Sequence, residues 1–186
     1  MPCARLSKRH ANRNLSEEPS LSDLFLERDA VISDCGKYRY LLRRTWDFTR
    51  SRSLIVMLNP STADATIDDA TIRSCIRLCR SWGDGSFEVV NLFGWRATDP
   101  EELAKATDPV GPKNNGVIEA AINRCDSIIC AWGAHKMAAN GRGRRVWEMI
   151  RSARPAAFCL GVTKSGAPKH PLYIKSGTSL LVFTPT

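Results

Sequence analysis

Leu54-Ile55-Val56-Met57-Leu58 runs directly into Asn59-Pro60-Ser61-Thr62-Ala63-Asp64. Five consecutive apolar residues suit a strand buried on both faces. Pro60 cannot continue a central strand, and it turns Asn59 away from helical geometry. Asn59 should therefore sit where a buried strand opens into a loop, at the strand's C-terminal end. In open α/β sheets that edge is where ligands bind.

The same pattern recurs along the chain. Phe87–Leu92, Ser127–Trp132 and Ala156–Leu160 read as further buried strands, and Leu180–Phe183 as a last short one. Tyr38–Trp46 alternates apolar and basic residues, as an edge-near strand would. Between the strands lie helical signals. Asp68-Asp69-Ala70-Thr71 caps a helix to about Trp82, with Ile72, Cys75, Ile76 and Cys79 on one face and Gly83 at its end. Asp99-Pro100-Glu101-Glu102 opens a short helix, Pro112 precedes one over Lys113–Arg124, and Gly143–Ala153 forms a basic one. Strands alternating with helices predict an α/β fold, a three-layer sandwich with a central, mostly parallel sheet. Residues 1–30 read as a peripheral segment with a short helix around Leu21–Glu27, and residues 31–186 as the domain.

The 186 residues suit one domain, and no apolar run approaches the ~20 residues that span a bilayer. The polar N-terminus lacks the apolar core of a signal peptide, so the expected location is the cytoplasm, away from membranes. Seven cysteines include no Cys-x-x-Cys pair. They read as reduced, small buried hydrophobes, with no metal site. The net charge of +8 is concentrated. Residues 36–52 and 135–175 are basic blocks, whereas 53–134 is net acidic. Such blocks suit a polyanion surface, most simply nucleic acid; the plainer alternative is solvated arginines without a partner.

If the strands are parallel, four clusters share one edge: Asn59-Pro60-Ser61, Asn91 through Arg96, Trp132-Gly133-Ala134-His135, and Lys169-His170-Pro171-Leu172-Tyr173. The chain has no Gly-x-Gly-x-x-Gly after a strand, no Walker-type loop, no Gly-x-Ser-x-Gly elbow and no paired metal-ligand histidines. Asn59 and Asn91 can each hydrogen-bond a water or a base edge, or simply form a turn or strand end. Trp95 and Trp132 are core residues or stacking platforms. Arg96 binds phosphate or caps a helix. His170 lies in a Gly/Pro/Lys loop with little apolar context and is the leading functional histidine. His10 lies in the tail, and His135 suits a helix start. Asp64, Asp68 and Asp69 are acid/base candidates, but capping explains the last two.

From about Val31 onward the chain resembles a bacterial and phage family labelled domain of unknown function 1643. The matching residues include Cys35 through Tyr40, Met57 through Asp64, Asp68 through Arg73, Asn91 through Pro100, Asp108 through Pro112, Ala131 through His135 and Gly161 through Tyr173. The four strand-end clusters are also similar, in the same order, to the signature blocks of the uracil-DNA glycosylase superfamily. Leu58-Asn59-Pro60 is like the Ile-Asn-Pro block of its mismatch-specific branch, and His170-Pro171 is like its His-Pro block.

That second resemblance implies a glycosylase-like fold and hydrolysis of a base–sugar bond. Asn59 would orient the attacking water, Asn91 would hold the extruded base, and His170 would donate to the departing base. Pro60, Ser61, Trp95, Trp132, Gly133 and Tyr173 would complete the base site. Arg43, Arg44, Arg96, Arg144, Arg145, Lys164 and Lys169 would carry the DNA, single- or double-stranded, on a monomer needing no cofactor. Asn59 is no carboxylate, so the sugar would leave largely as an oxocarbenium-like cation. Uracil-reading residues are not recognisable, which points to a modified base, as in foreign DNA. The rival readings are a non-catalytic nucleic-acid or nucleotide-binding module and an enzyme on free nucleosides or nucleotides.

Overall fold

The computed structural model describes residues 27–61 and 63–185. Seven strands form in chain order among them: Glu27–Ile32 (β1), Arg39–Thr45 (β2), Arg52–Met57 (β3), Ser86–Asn91 (β4), Ser127–Cys130 (β5), Phe158–Cys159 (β6) and Leu181–Val182 (β7). The three α-helices are Ala70–Trp82 (α1), Asn114–Arg124 (α2) and Gly143–Ala153 (α3). Short 3-10 segments cover Pro100–Lys105 and Pro171–Tyr173.

The strands make one sheet in the order β1-β2-β4-β3-β5-β6-β7. β4, β3, β5 and β6 are mutually parallel, while β1, β2 and β7 join antiparallel at the margins. The sheet is therefore mixed, with the parallel character confined to its centre. β3 occupies that centre because every residue from Ser53 to Met57 is buried, leaving neither face polar. One face packs Leu54, Val56 and Val90 against Ile118 and Ile122 of α2 and Val146 and Ile150 of α3. The other packs Ile55, Met57, Phe87 and Val89 against Ile72, Cys75, Ile76 and Cys79 of α1. These are two helical layers around a sheet.

The chain punctuation works as the sequence predicts. Asp69 is extended, accepts the Ile72 N–H at 2.8 Å and starts α1. Gly83, at φ +84°, ends it in the left-handed conformation that a Cβ would strain. Two expectations shift. The domain begins before residue 31, because Glu27–Ile32 pairs along β2. Its polar sequence hides a strand that needs only an edge partner. The helix expected over Leu21–Glu27 lies outside the described residues except for Glu27, which opens β1. No described helix is long and apolar enough to cross a membrane.

Cys75, Cys79, Cys125, Cys130 and Cys159 are buried, and Cys35 is exposed. Burial pushes the Cys125 thiol up to about 12 and raises Cys75, Cys79 and Cys130 as well, so these sulfurs stay protonated and unreactive.

The sheet also buries a charge. Glu88, in the middle of β4, is fully buried and accepts from Arg43 Nε at 3.0 Å and Arg124 Nη2 at 2.5 Å, with Arg52 Nη1 at 3.7 Å. Its carboxylate binds the ends of β2, β3 and α2 together. Removing one member of such a cluster leaves uncompensated charge, so Glu88→Ala should cost about 3–5 kcal/mol. Urea unfolding followed by circular dichroism reads this, and a loss below about 1 kcal/mol, the value of an exposed pair, would contradict it.

Candidate functional site at the carboxyl edge of the parallel strands

The four parallel strands end on one edge, and their hydrogen bonding continues into the loops. Leu92 N–H donates to Met57 O at 2.8 Å, Ala131 N–H to Val56 O at 2.8 Å, and Ala97 N–H to Pro60 O at 2.9 Å. β3 leads to β4 on one side by way of α1. β5, on the other side of β3, leads outward to β6 by way of α3. The edge between β3 and β5 is thus the topological switch point, where such sheets open a crevice.

Asn59 stands on the β3 side of it, half-buried. Its Nδ2 donates to Ala97 O at 2.7 Å and to Pro60 O at 3.2 Å. The amide orientation is fixed by these bonds, and Oδ1 is left as an acceptor with no donor among the described residues. Ser61 donates its hydroxyl to Asp69 Oδ2, while Oδ1 of the same carboxylate caps α1. Asp69 therefore does more than capping: it ties the loop after β3 to the helix.

His170 stands on the β5 side. A Cβ added to Gly133, which has φ +74°, would lie 3.7 Å from the His170 Cβ. Gly133 N–H donates to Pro168 O at 2.9 Å, so the two loops are bound together. Ser74 of α1 donates to Pro171 O at 2.8 Å, anchoring the His-Pro turn from the other side. His170 Nδ1 accepts the Leu172 N–H at 3.3 Å. The proton of the neutral ring is therefore on Nε2, which becomes a hydrogen-bond donor. Burial pushes the His170 pKa down, and the Asp69 carboxylate partly opposes it. The ring is neutral at physiological pH. Tyr173, three residues on, is 89% exposed.

The edge thus gathers Asn59, Pro60, Ser61, Gly133 and His170, with Asp69 as the group that the sequence reading set aside. Other predicted residues lie elsewhere. Asn91 is 1% exposed, and neither its Oδ1 nor its Nδ2 has a partner among the described residues. Strand alternation places it with Phe87 and Val89 on the α1 side, within the core rather than on an open wall. Arg44 is fully buried, with Nη2 at 2.7 Å from Asp68 Oδ1 and 2.6 Å from Asp64 O. Arg43 is taken by Glu27 and Glu88. Both guanidinium groups are engaged by carboxylates of the fold, Arg44 by Asp68 in the loop before α1 and Arg43 by Glu27 and the buried Glu88, so they hold the fold and are not open to a polyanion. Arg144, Arg145, Lys164 and Lys169 are exposed.

The aromatics divide between two cavities. Trp95, edge-on to Tyr38 at 5.4 Å, lines one of about 330 Å³ with Ser61 and Arg96. Trp132 lines one of about 560 Å³ beside α3. Neither cavity is lined by Asn59, Asn91 or His170. His135 Nδ1 likewise accepts the N–H two residues on, from Met137 at 3.2 Å, but its Nε2 lies 3.5 Å from Glu101 Oε1, a partner that His170 Nε2 lacks among the described residues. Among the described residues, no group of three or more His, Cys, Asp or Glu side chains is placed to hold a metal ion.

Arg39 is the residue that sequence reasoning missed. It is 2% exposed, donates to Ala63 O beneath the loop after β3, and leaves Nε without a partner. Burial pulls its guanidinium down to about 10, so it remains a cation. Arg39 opens β2, a strand that also carries Arg43 and Arg44, so nothing local marked it out.

The geometry around His170 is testable by itself. NMR titration should give a pKa below the ordinary 6.5. Asp69→Asn keeps an equally good helix cap and removes the charge that raises the His170 value, so it should lower that pKa further. A His170 pKa above 6.5, or one that rises in the variant, would contradict this arrangement.

No curated protein and no solved structure matches the chain. A family profile matches residues 39–172, which include every strand of the parallel centre and both halves of the switch point. The chain belongs to the family described as Protein of unknown function (DUF1643).

Proposed function

We propose that the protein is a DNA glycosylase-like hydrolase that removes a modified or damaged base, in a fold like that of uracil-DNA glycosylases. The observation that carries this reading is the neutral His170, whose Nε2–H is free to donate because Nδ1 is occupied by Leu172. Such a preorganised donor stabilises negative charge as it develops on a departing base. The acceptor end of Asn59 faces a similar need, holding a water by one of its hydrogens.

In the reaction the C1′–N bond breaks heterolytically and its electron pair leaves with the base. His170 donates a hydrogen bond to that base. The sugar becomes oxocarbenium-like, with the Asp69 carboxylate supplying nearby negative charge. Water held by Asn59 adds to C1′ and loses its proton to solvent, leaving an abasic site. The base must be extruded to reach this edge. The exposed Tyr173, next to the His-Pro turn, suits a wedge entering the stack, and exposed Arg144, Arg145, Lys164 and Lys169 suit the phosphates. A modified base in foreign DNA, attacked as a defence, fits the absence of uracil-reading residues in the sequence.

One observation favours a second reading. Asn91 is sealed in the core, and the described cavities exclude Asn59 and His170. A nucleic-acid-binding module without turnover would need neither residue exposed.

Duplex and single-stranded DNA bearing uracil, mismatches or hypermodified pyrimidines, incubated with the protein and treated with alkali, separates the two. Glycosylase action predicts strand scission, slowed about 100- to 1,000-fold by His170→Ala and by Asn59→Ala with DNA affinity retained. The rate should be flat through neutral pH. It should fall on acidification only as His170 protonates, below the ordinary histidine range. No scission on any substrate by folded protein would favour the binding module.

A further inference from the structure

The larger cavity shares Gly133 and Arg144 with the site proposed above, but neither Asn59 nor His170 lines it. It has a volume of about 560 Å³ and lies between α3, the loop after β5, and the turn closed by the Val162–Pro168 bridge. Its inner walls are aromatic. Trp132 and Trp147 both stand edge-on to Phe183, with centroids 5.7 and 5.3 Å apart. Arg144 and Arg151 are at its rim.

Two features set it apart from ordinary core packing. First, Trp46 and Trp82 pair their indole N–H groups with the Asp84 and Thr178 carbonyls at 2.9 and 2.8 Å. Trp132 and Trp147 have no such acceptor among the described residues, although Trp132 is only 6% exposed. Neither indole nitrogen is sealed from solvent, so both N–H groups stay open to an acceptor from outside the chain. Secondly, the cationic rim is loosely held. Arg144 pairs with Glu148 at 3.2 Å, but the two side chains are 84% and 51% exposed, and such pairs are worth little. Arg151 is exposed on the same helix, one turn beyond Glu148. Glu148 is the one carboxylate of the lining against Arg144 and Arg151, so the lining is net positive.

The geometry points to a binding site for a nucleoside monophosphate unit, with the base against Trp132, Trp147 and Phe183 and the phosphate on Arg144 and Arg151. Aromatic walls accept any base by stacking, and guanidinium groups are suited to phosphate. The volume lies within the range of small-molecule sites. Acceptors on the ligand would satisfy the free indole N–H groups, which an aliphatic anion confined to the rim would not reach. The unit is either a free mononucleotide or one residue of a single strand. Because Asn59 and His170 do not line the cavity, the site goes beyond base excision and does not depend on it.

Tryptophan fluorescence of the full chain, titrated with thymidine monophosphate, thymidine, inorganic phosphate and a short oligothymidylate, tests this. The monophosphate should quench with saturation, and thymidine or phosphate alone should bind at least about tenfold more weakly. Arg151→Ala, at an exposed position that should leave folding intact, should weaken the monophosphate about tenfold, and Trp147→Phe should reduce the quench. An oligonucleotide that binds more tightly than the monophosphate, with strong salt dependence, assigns the unit to a strand; equal affinities assign it to a free nucleotide, and both support the site. Absence of quenching by every nucleotide at millimolar concentration overturns the proposal, as does an affinity that both variants leave unchanged. Base release is not read in this experiment, so its failure and that of the excision reading are separate.

Discussion

The backbone hydrogen bonds between β3 and its two parallel neighbours are the interaction on which the rest depends. Because Ser53 through Met57 are buried on both faces, β3 can only be central. Because β4 and β5 run parallel to it, the residues after all three strands emerge together. The bonds from Leu92 to Met57 and from Ala131 to Val56 then carry that alignment past the strand ends. Asn59 and Gly133 are fixed at the switch point by backbone geometry before any side chain takes part. His170 joins them through Pro168 and through the bond from Ser74 of α1.

Charge is used in two different ways. The first basic block reads in the sequence as a polyanion surface, yet Arg39 and Arg44 are buried and Arg43 is paired inside the sheet. Their counterions, Glu88 and Asp68, lie far away in sequence, so counting charges along the chain could not find them. Glu88 was nevertheless visible as a carboxylate in the middle of an apolar strand, and such a residue requires a buried partner. In the second block Arg144, Arg145, Lys164 and Lys169 are exposed. The exposed positive charge of the first block is therefore smaller than a count along the sequence implies.

Periodicity made the centre of the fold legible. The Leu54–Leu58 run, the Asp69 cap, the Gly83 stop and the helix over Gly143–Ala153 all follow from local chemistry that tertiary contacts do not override. β1 was illegible because an edge strand with one partner needs no apolar run. The site was legible only in part. Strand ends before proline or glycine located Asn59 and Gly133, and a Gly/Pro/Lys loop with little apolar context located His170. The same reasoning also placed Asn91 at the edge, where alternation turns it into the α1 core instead. Asp69 shows the opposite error, since capping explained it well enough to hide its bond to Ser61 and its proximity in charge to His170.

In the proposed function this edge stabilises an oxocarbenium-like sugar beside a departing base. A duplex containing a cationic pyrrolidine in place of one deoxyribose tests it without knowledge of the base. Enzymes bind such transition-state analogues far more tightly than ground states. The affinity should be at least about a hundredfold above that for the matched unmodified duplex, with most of the gain lost in Asn59→Ala. Equal affinity for the two duplexes would contradict it.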